Sequence, residues 1–111
     1  MKTRLTIAAL LLFASALAAS AKDVTLGWNS SPTTGVTNYN VYASRSPITT
    51  ANAGSASIHV NAGNVLTATL PNLGVGTWYF AVDAEKGGLK SDVITISAEI
   101  PAAPVNLRII P

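Results

Sequence analysis

Leu70-Pro71-Asn72-Leu73-Gly74-Val75-Gly76-Thr77-Trp78-Tyr79-Phe80-Ala81-Val82-Asp83-Ala84 is the stretch on which the fold of this 111-residue chain turns. It begins as the apolar end of one strand and runs into a Pro/Asn/Gly turn. Proline presets a turn dihedral, and Asn and Gly tolerate the positive φ that other residues resist, so the chain is expected to reverse here. From Thr77 onward large apolar residues alternate with small or polar ones, the period of two that gives a sheet an inner and an outer face.

The same grammar extends outward in both directions. Val24–Trp28 places Val24, Leu26 and Trp28 on one face, and Asn29 to Gly35 is a loop by composition. Asn38–Ser44 points Tyr39, Val41 and Ala43 inward, and Arg45 to Gly54 reads as a polar crossover. Ser57–Asn61 is a short strand with Ile58 and Val60 on one face, and Val65–Leu70 carries Leu66, Ala68 and Leu70 in register. Thr77–Glu85 follows, Gly87-Gly88 breaks it, and Asp92–Ala98 closes the body. Apart from the N-terminal run, no segment has the 3.6-residue apolar period of a helix. Six short strands joined by turn clusters predict an all-β antiparallel two-sheet sandwich.

Trp28 on an early strand, Tyr39 opening the next, and Leu70 followed by Gly76-Thr77-Trp78-Tyr79 resemble the fibronectin type III family, an immunoglobulin-like sandwich. The resemblance covers roughly residues 24 to 97 and implies a core built on Trp28, Tyr39, Val41, Leu70 and Phe80, with Leu26 and Val82 beside them. Two departures stand out. Aligning Phe80, Val82 and Ala84 with the family's inward positions puts Trp78 where a corner tyrosine usually sits, and an indole donates one bond but cannot mimic a phenol. Tyr79 then faces outward. The family also has seven strands, and the first one recognisable here matches its second. Meanwhile Pro101-Ala102-Ala103-Pro104-Val105-Asn106-Leu107-Arg108-Ile109-Ile110 looks like the linker and opening strand of a following domain.

Residues 1–21 read as a bacterial-type secretory leader: Lys2 and Arg4, an apolar run from Leu5 to Ala18, and the small-residue site Ala19-Ser20-Ala21. The run is short for a membrane span, and no Cys marks a lipid anchor; an uncleaved anchor is the alternative. The expected organisation is leader 1–21, sandwich 22–100, and proline-rich linker with a donatable strand 101–111. The expected location is outside the cytoplasm: secreted, at the cell surface or periplasmic, with no membrane insertion once the leader is gone. Lys2 and Arg4 account for two of seven basic residues, leaving five against five acids. A neutral chain gives no electrostatic basis for binding nucleic acid. With no cysteine, sheet packing must hold the fold without disulfides.

Nothing marks a catalytic, cofactor or metal site. The single His59 lies between Ile58 and Val60 and should point to solvent, without a second His or Cys to complete a zinc set. Asp83 and Glu85 alternate on one strand and read as wetting residues of an outer face rather than a hydrolytic pair. Gly74-Val75-Gly76 is turn chemistry, and Lys86-Gly87-Gly88-Leu89-Lys90 is a solvated hairpin end with no adhesive Arg-Gly-Asp. The expected function is therefore a non-enzymatic structural or interaction module. Its partners are proteins, including further copies of itself: Val105, Leu107, Ile109 and Ile110 would add beside Val24 and Leu26 of the next subunit, head to tail. The alternative is a module binding carbohydrate or a surface protein through exposed Tyr42 and Tyr79 and the neighbouring loops.

Overall fold

The computed structural model describes residues 21–110. It is all-β: β1 (Lys22–Gly27), β2 (Asn38–Ser44), β3 (Ile58–Gly63), β4 (Thr67–Leu73), β5 (Gly76–Lys86), β6 (Leu89–Lys90) and β7 (Ile94–Ile100), with one 3-10 turn at Ala53–Ser55. The expected leader lies outside the described residues. β1 and β4 form a two-stranded antiparallel sheet. β3, β2 and β5 form the body of the larger sheet, and β6 and β7 follow one another along the far edge of β5. The short β6 is thus a prelude to the last expected strand. Ser91 closes the gap between them, donating its N–H to the Ala84 carbonyl at 2.8 Å and accepting the Ala84 N–H on Oγ at 2.9 Å.

The core sits between the sheets. Tyr39, Val41, Leu70, Trp78 and Phe80 are buried there, as period-two alternation on β2, β4 and β5 requires, and Leu73 joins them out of step. The central pair β2 and β5 supplies most of the core, Tyr39, Val41 and Ala43 from one and Trp78, Phe80 and Val82 from the other. At the start of β5 the indole of Trp78 donates to the Gly74 carbonyl at 2.9 Å, so the tryptophan makes a corner bond back to the turn. Arg45 lies over the same ring at 4.1 Å and donates to the Val75 carbonyl at 2.9 Å. Gly76 makes room for this: its φ is 110°, and a Cβ there would fall 2.9 Å from Arg45 Nη1. The fourth strand begins later than expected, leaving Val65 and Leu66 exposed. It bulges where Asn72 takes φ 58° and its N–H reaches Asp23 Oδ1, and this brings Leu73 into the core.

A second, smaller apolar cluster lies on the outer face of the larger sheet. The crossover after β2 folds back over it, laying Ile48 and Ala53 against Tyr42 and Ala81. The crossover expected to be merely polar therefore forms a cover over Tyr42 and Ala81 on that face.

Candidate strand-docking site

Among the described residues the outer edges of β1, β4, β3, β6 and β7 carry no partner, and two of these, the edge of β1 away from β4 and the edge of β7 away from β5, border apolar side chains left open. They face one cleft of about 230 Å³ lined by Leu26, Trp28, Phe80, Val82, Ile94 and Ile96. Pairing explains why these residues converge. Ile96 sits opposite Phe80 and Ile94 opposite Val82, so both isoleucines share the inward face of β5. That face should be covered, yet Ile94 is 64% exposed and Ile96 63%. On the other wall Val24 and Leu26 pack only partly against the core.

Trp28 shows the same deficit. It was expected to be fully buried, but it is only half-buried, tilted against Tyr39 with ring centroids 5.7 Å apart. Its Nε1 is the one buried side-chain polar atom without a partner among the described residues. At the floor of the cleft Phe80 and Val82 are buried, but Leu26 and Trp28 on one wall and Ile94 and Ile96 on the other are incompletely covered because no strand fills the space between the two edges. A second cleft continues from Trp28 past Ser31 toward Asp92, so the opening runs on to the β1–β2 loop.

The C-terminal segment is the other unsatisfied element. Residues 101–110 form no strand, and every one of them is exposed. Val105, Leu107, Ile109 and Ile110 are among the most exposed apolar residues of the molecule, Leu107 at 102%. Asn106 takes φ 60° and its carbonyl accepts from Arg108 Nη1, which kinks the segment.

The expected aromatic surface is not present. Tyr42 is 2% exposed, so its assignment to an open ligand-binding face is corrected: the returning crossover covers it. Tyr79 does face away from the core, but it is half-buried against the second cluster. Asp83 was expected to be wet and is 4% exposed. In place of a wet face there is a closed polar network. Tyr42 donates its hydroxyl to Asp83 Oδ2 at 2.8 Å, and Asn40 Nδ2 donates to Asp83 Oδ1 at 2.8 Å and Glu85 Oε1 at 3.0 Å. His59 is exposed, as expected, but stacks on Tyr42 at 4.8 Å and lies 3.2 Å from Asn40 Oδ1. Burial first, then the Asp83 hydrogen bond and the charges of Asp83 and Glu85, push the Tyr42 phenol up to about 12. Bonds from Asn40 and then Asn38 hold the Glu85 carboxyl below its usual range.

Among the described residues no three His, Cys, Asp or Glu side chains are placed to hold a metal ion, and no helix is long and apolar enough to cross a membrane. Comparison with protein-family models, with curated proteins and with solved structures finds no match for this chain.

Proposed function

We propose that this chain is an exported, non-enzymatic interaction module of fibronectin type III type that works by taking an extended strand into the cleft between β1 and β7. The observation that carries the reading is the pair of inward-facing but open isoleucines, Ile94 and Ile96, opposite the half-covered Leu26 and Trp28. Apolar side chains placed on the core face of a sheet and left in water represent unrealised burial, worth about 1.5–3 kcal/mol for each one fully covered. An unpaired strand edge beside them offers N–H and C=O groups at strand spacing. An added strand satisfies both at once, which is the mode of recognition in β-augmentation.

The cleft has a defined test. A short peptide alternating valine and threonine should bind saturably, shift the Trp28 fluorescence, and lose its binding to the Ile96→Asp variant. Ile96 is exposed, so this substitution leaves the fold intact. Equal binding to both proteins, or no binding to either, would remove the cleft as a strand acceptor.

A further inference from the structure

The geometry points to the C-terminal segment Val105–Ile110 of a second copy of this chain as the strand that fills the cleft, giving head-to-tail assembly. This rests on the strand-accepting reading above and names its partner. Direction is the first argument. The end of β1 lies against the start of β7, because Gly27 and Trp28 border the same cleft as Ile94. The two strands therefore run in opposite directions, and β7 ends at the pole where β1 begins. A segment that carries on from Ile100 leaves its own subunit at that pole. If it enters a second copy from the opposite pole, it runs antiparallel to that copy's β1. To reach its own β1 it would have to reverse within Pro101-Ala102-Ala103-Pro104 and then pair in parallel. Two prolines in four residues favour an extended linker over that reversal.

Length and pattern agree. β1 offers six residues of open edge, Lys22–Gly27, and the segment from Val105 to Ile110 supplies the same number, about 20 Å as a strand. In strand conformation Val105, Leu107 and Ile109 share one face and Asn106, Arg108 and Ile110 the other. The first face meets Leu26, Phe80, Val82, Ile94 and Ile96, apolar against apolar with no buried charge. Arg108 stays on the solvent side. Docking requires Asn106 to leave its left-handed conformation, a change that costs asparagine little. The contact joins two different surfaces of the same protein. It is heterologous, and repeating it builds an open chain of subunits rather than a closed dimer.

Complementation between two crippled copies tests the proposal in the full chain, expressed with its leader, recovered outside the cytoplasm, and its N-terminus read by mass spectrometry. Leu107→Asp with Ile109→Asp removes the donor face while leaving the cleft untouched. Ile96→Asp removes the acceptor while leaving the segment untouched. All three positions are exposed in the single subunit, so at dilutions where wild type is monomeric each variant should melt like it. By light scattering, wild type should grow with concentration, and each variant should assemble at least tenfold more weakly. An equimolar mixture of the two variants should yield a one-to-one heterodimer and nothing larger. A monomeric wild type, undiminished assembly of the Leu107→Asp/Ile109→Asp variant, or a mixture that stays monomeric would each overturn the proposal. If the valine–threonine peptide nevertheless binds the cleft in that case, only the identity of the donor has failed; if it does not, the strand-accepting reading falls too.

Discussion

Replacing Tyr42 by Phe removes one oxygen from the second cluster and leaves its packing in place. The loss falls on Asp83, a carboxylate at 4% exposure that takes one bond from the Tyr42 hydroxyl and one from Asn40. Among the described residues no cation bonds to it, so these two donors are its solvation. Hydrogen bonds to charged groups contribute about 1.5–3 kcal/mol, and the larger values apply when the group left behind is buried. For a domain of this size, whose whole stability is on the order of 5–13 kcal/mol, Tyr42→Phe should lower the melting temperature by roughly 10 °C. Tyr79→Phe, which removes a hydroxyl from a half-buried ring outside this network, should shift it by less than a third as much. The same pair should separate in alkali. The phenol of Tyr42 titrates at about 12 in the fold against 10.0 in the free side chain. Between those values the unfolded chain has lost a proton that the folded one keeps, so stability falls as pH rises from 10 toward 12. Tyr42→Phe should abolish that part of the alkaline loss and Tyr79→Phe should not. The assay is circular dichroism at neutral pH and through an alkaline series. A Tyr42→Phe protein that melts with wild type at neutral pH would refute the claim that the hydroxyl solvates Asp83.

Three further expectations follow from the same geometry. Phe80→Ala, at the centre of the closed core, should cost about 3–5 kcal/mol in urea denaturation, whereas Trp28→Ala should cost clearly less because its ring is only partly covered and its buried Nε1 has no partner. Glu85 is held below its ordinary pKa by Asn40 and Asn38, so its contribution to stability is present at neutral pH and is lost as pH falls through the lowered value; Glu85→Gln should flatten that part of the acid melting profile. Gly76→Ala forces a side chain onto φ 110° and against Arg45, and should destabilise by about 1–3 kcal/mol, with a change in the Trp78 near-ultraviolet signal as the guanidinium moves off the ring.

The approximate strand positions and most of the core were readable in the sequence because period-two alternation on β2 and β5 has one interpretation when both sheets pack on one side; which strands pair was not. Tyr39, Val41, Leu70 and Phe80 are buried where alternation puts them. The same rule misplaced Tyr42 and Asp83. Alternation assigns them to the outer face, which is correct, but it says nothing about whether a loop returns to cover that face. The signal for such a return was the apolar Ile48 and Ala53 inside an otherwise polar crossover. Trp28 failed in the opposite sense. The strand expected over Val24–Trp28 runs from Lys22 to Gly27, so Trp28 lies just past its end, bonded through its backbone N–H to the Leu66 carbonyl; full burial there also needs a neighbour on each side of β1, and the described chain places one on only one side. The apolar alternation from Val105 to Ile109 was visible without the fold; its complement on β7 was not, because Ile94 and Ile96 look like ordinary core positions until the opposite wall is seen to stop short.

The folded-back crossover also divides the molecule by opening energy. It is attached by the packing of Ile48 and Ala53 and by a bond from the Val93 N–H to Thr50 Oγ1, while the bonds of Asn52 with Thr49 and Pro47 hold it together internally. None of these contacts involves Phe80, Leu70 or Leu73. The flap can therefore lift while both sheets stay paired, and its amides should exchange with solvent well before those of β2 and β5. A lift should admit water to the ring of Tyr42 and to Ala81, so the anchor of the outer-face network is only as dry as the grip of Ile48, Ala53 and the Val93–Thr50 bond allows.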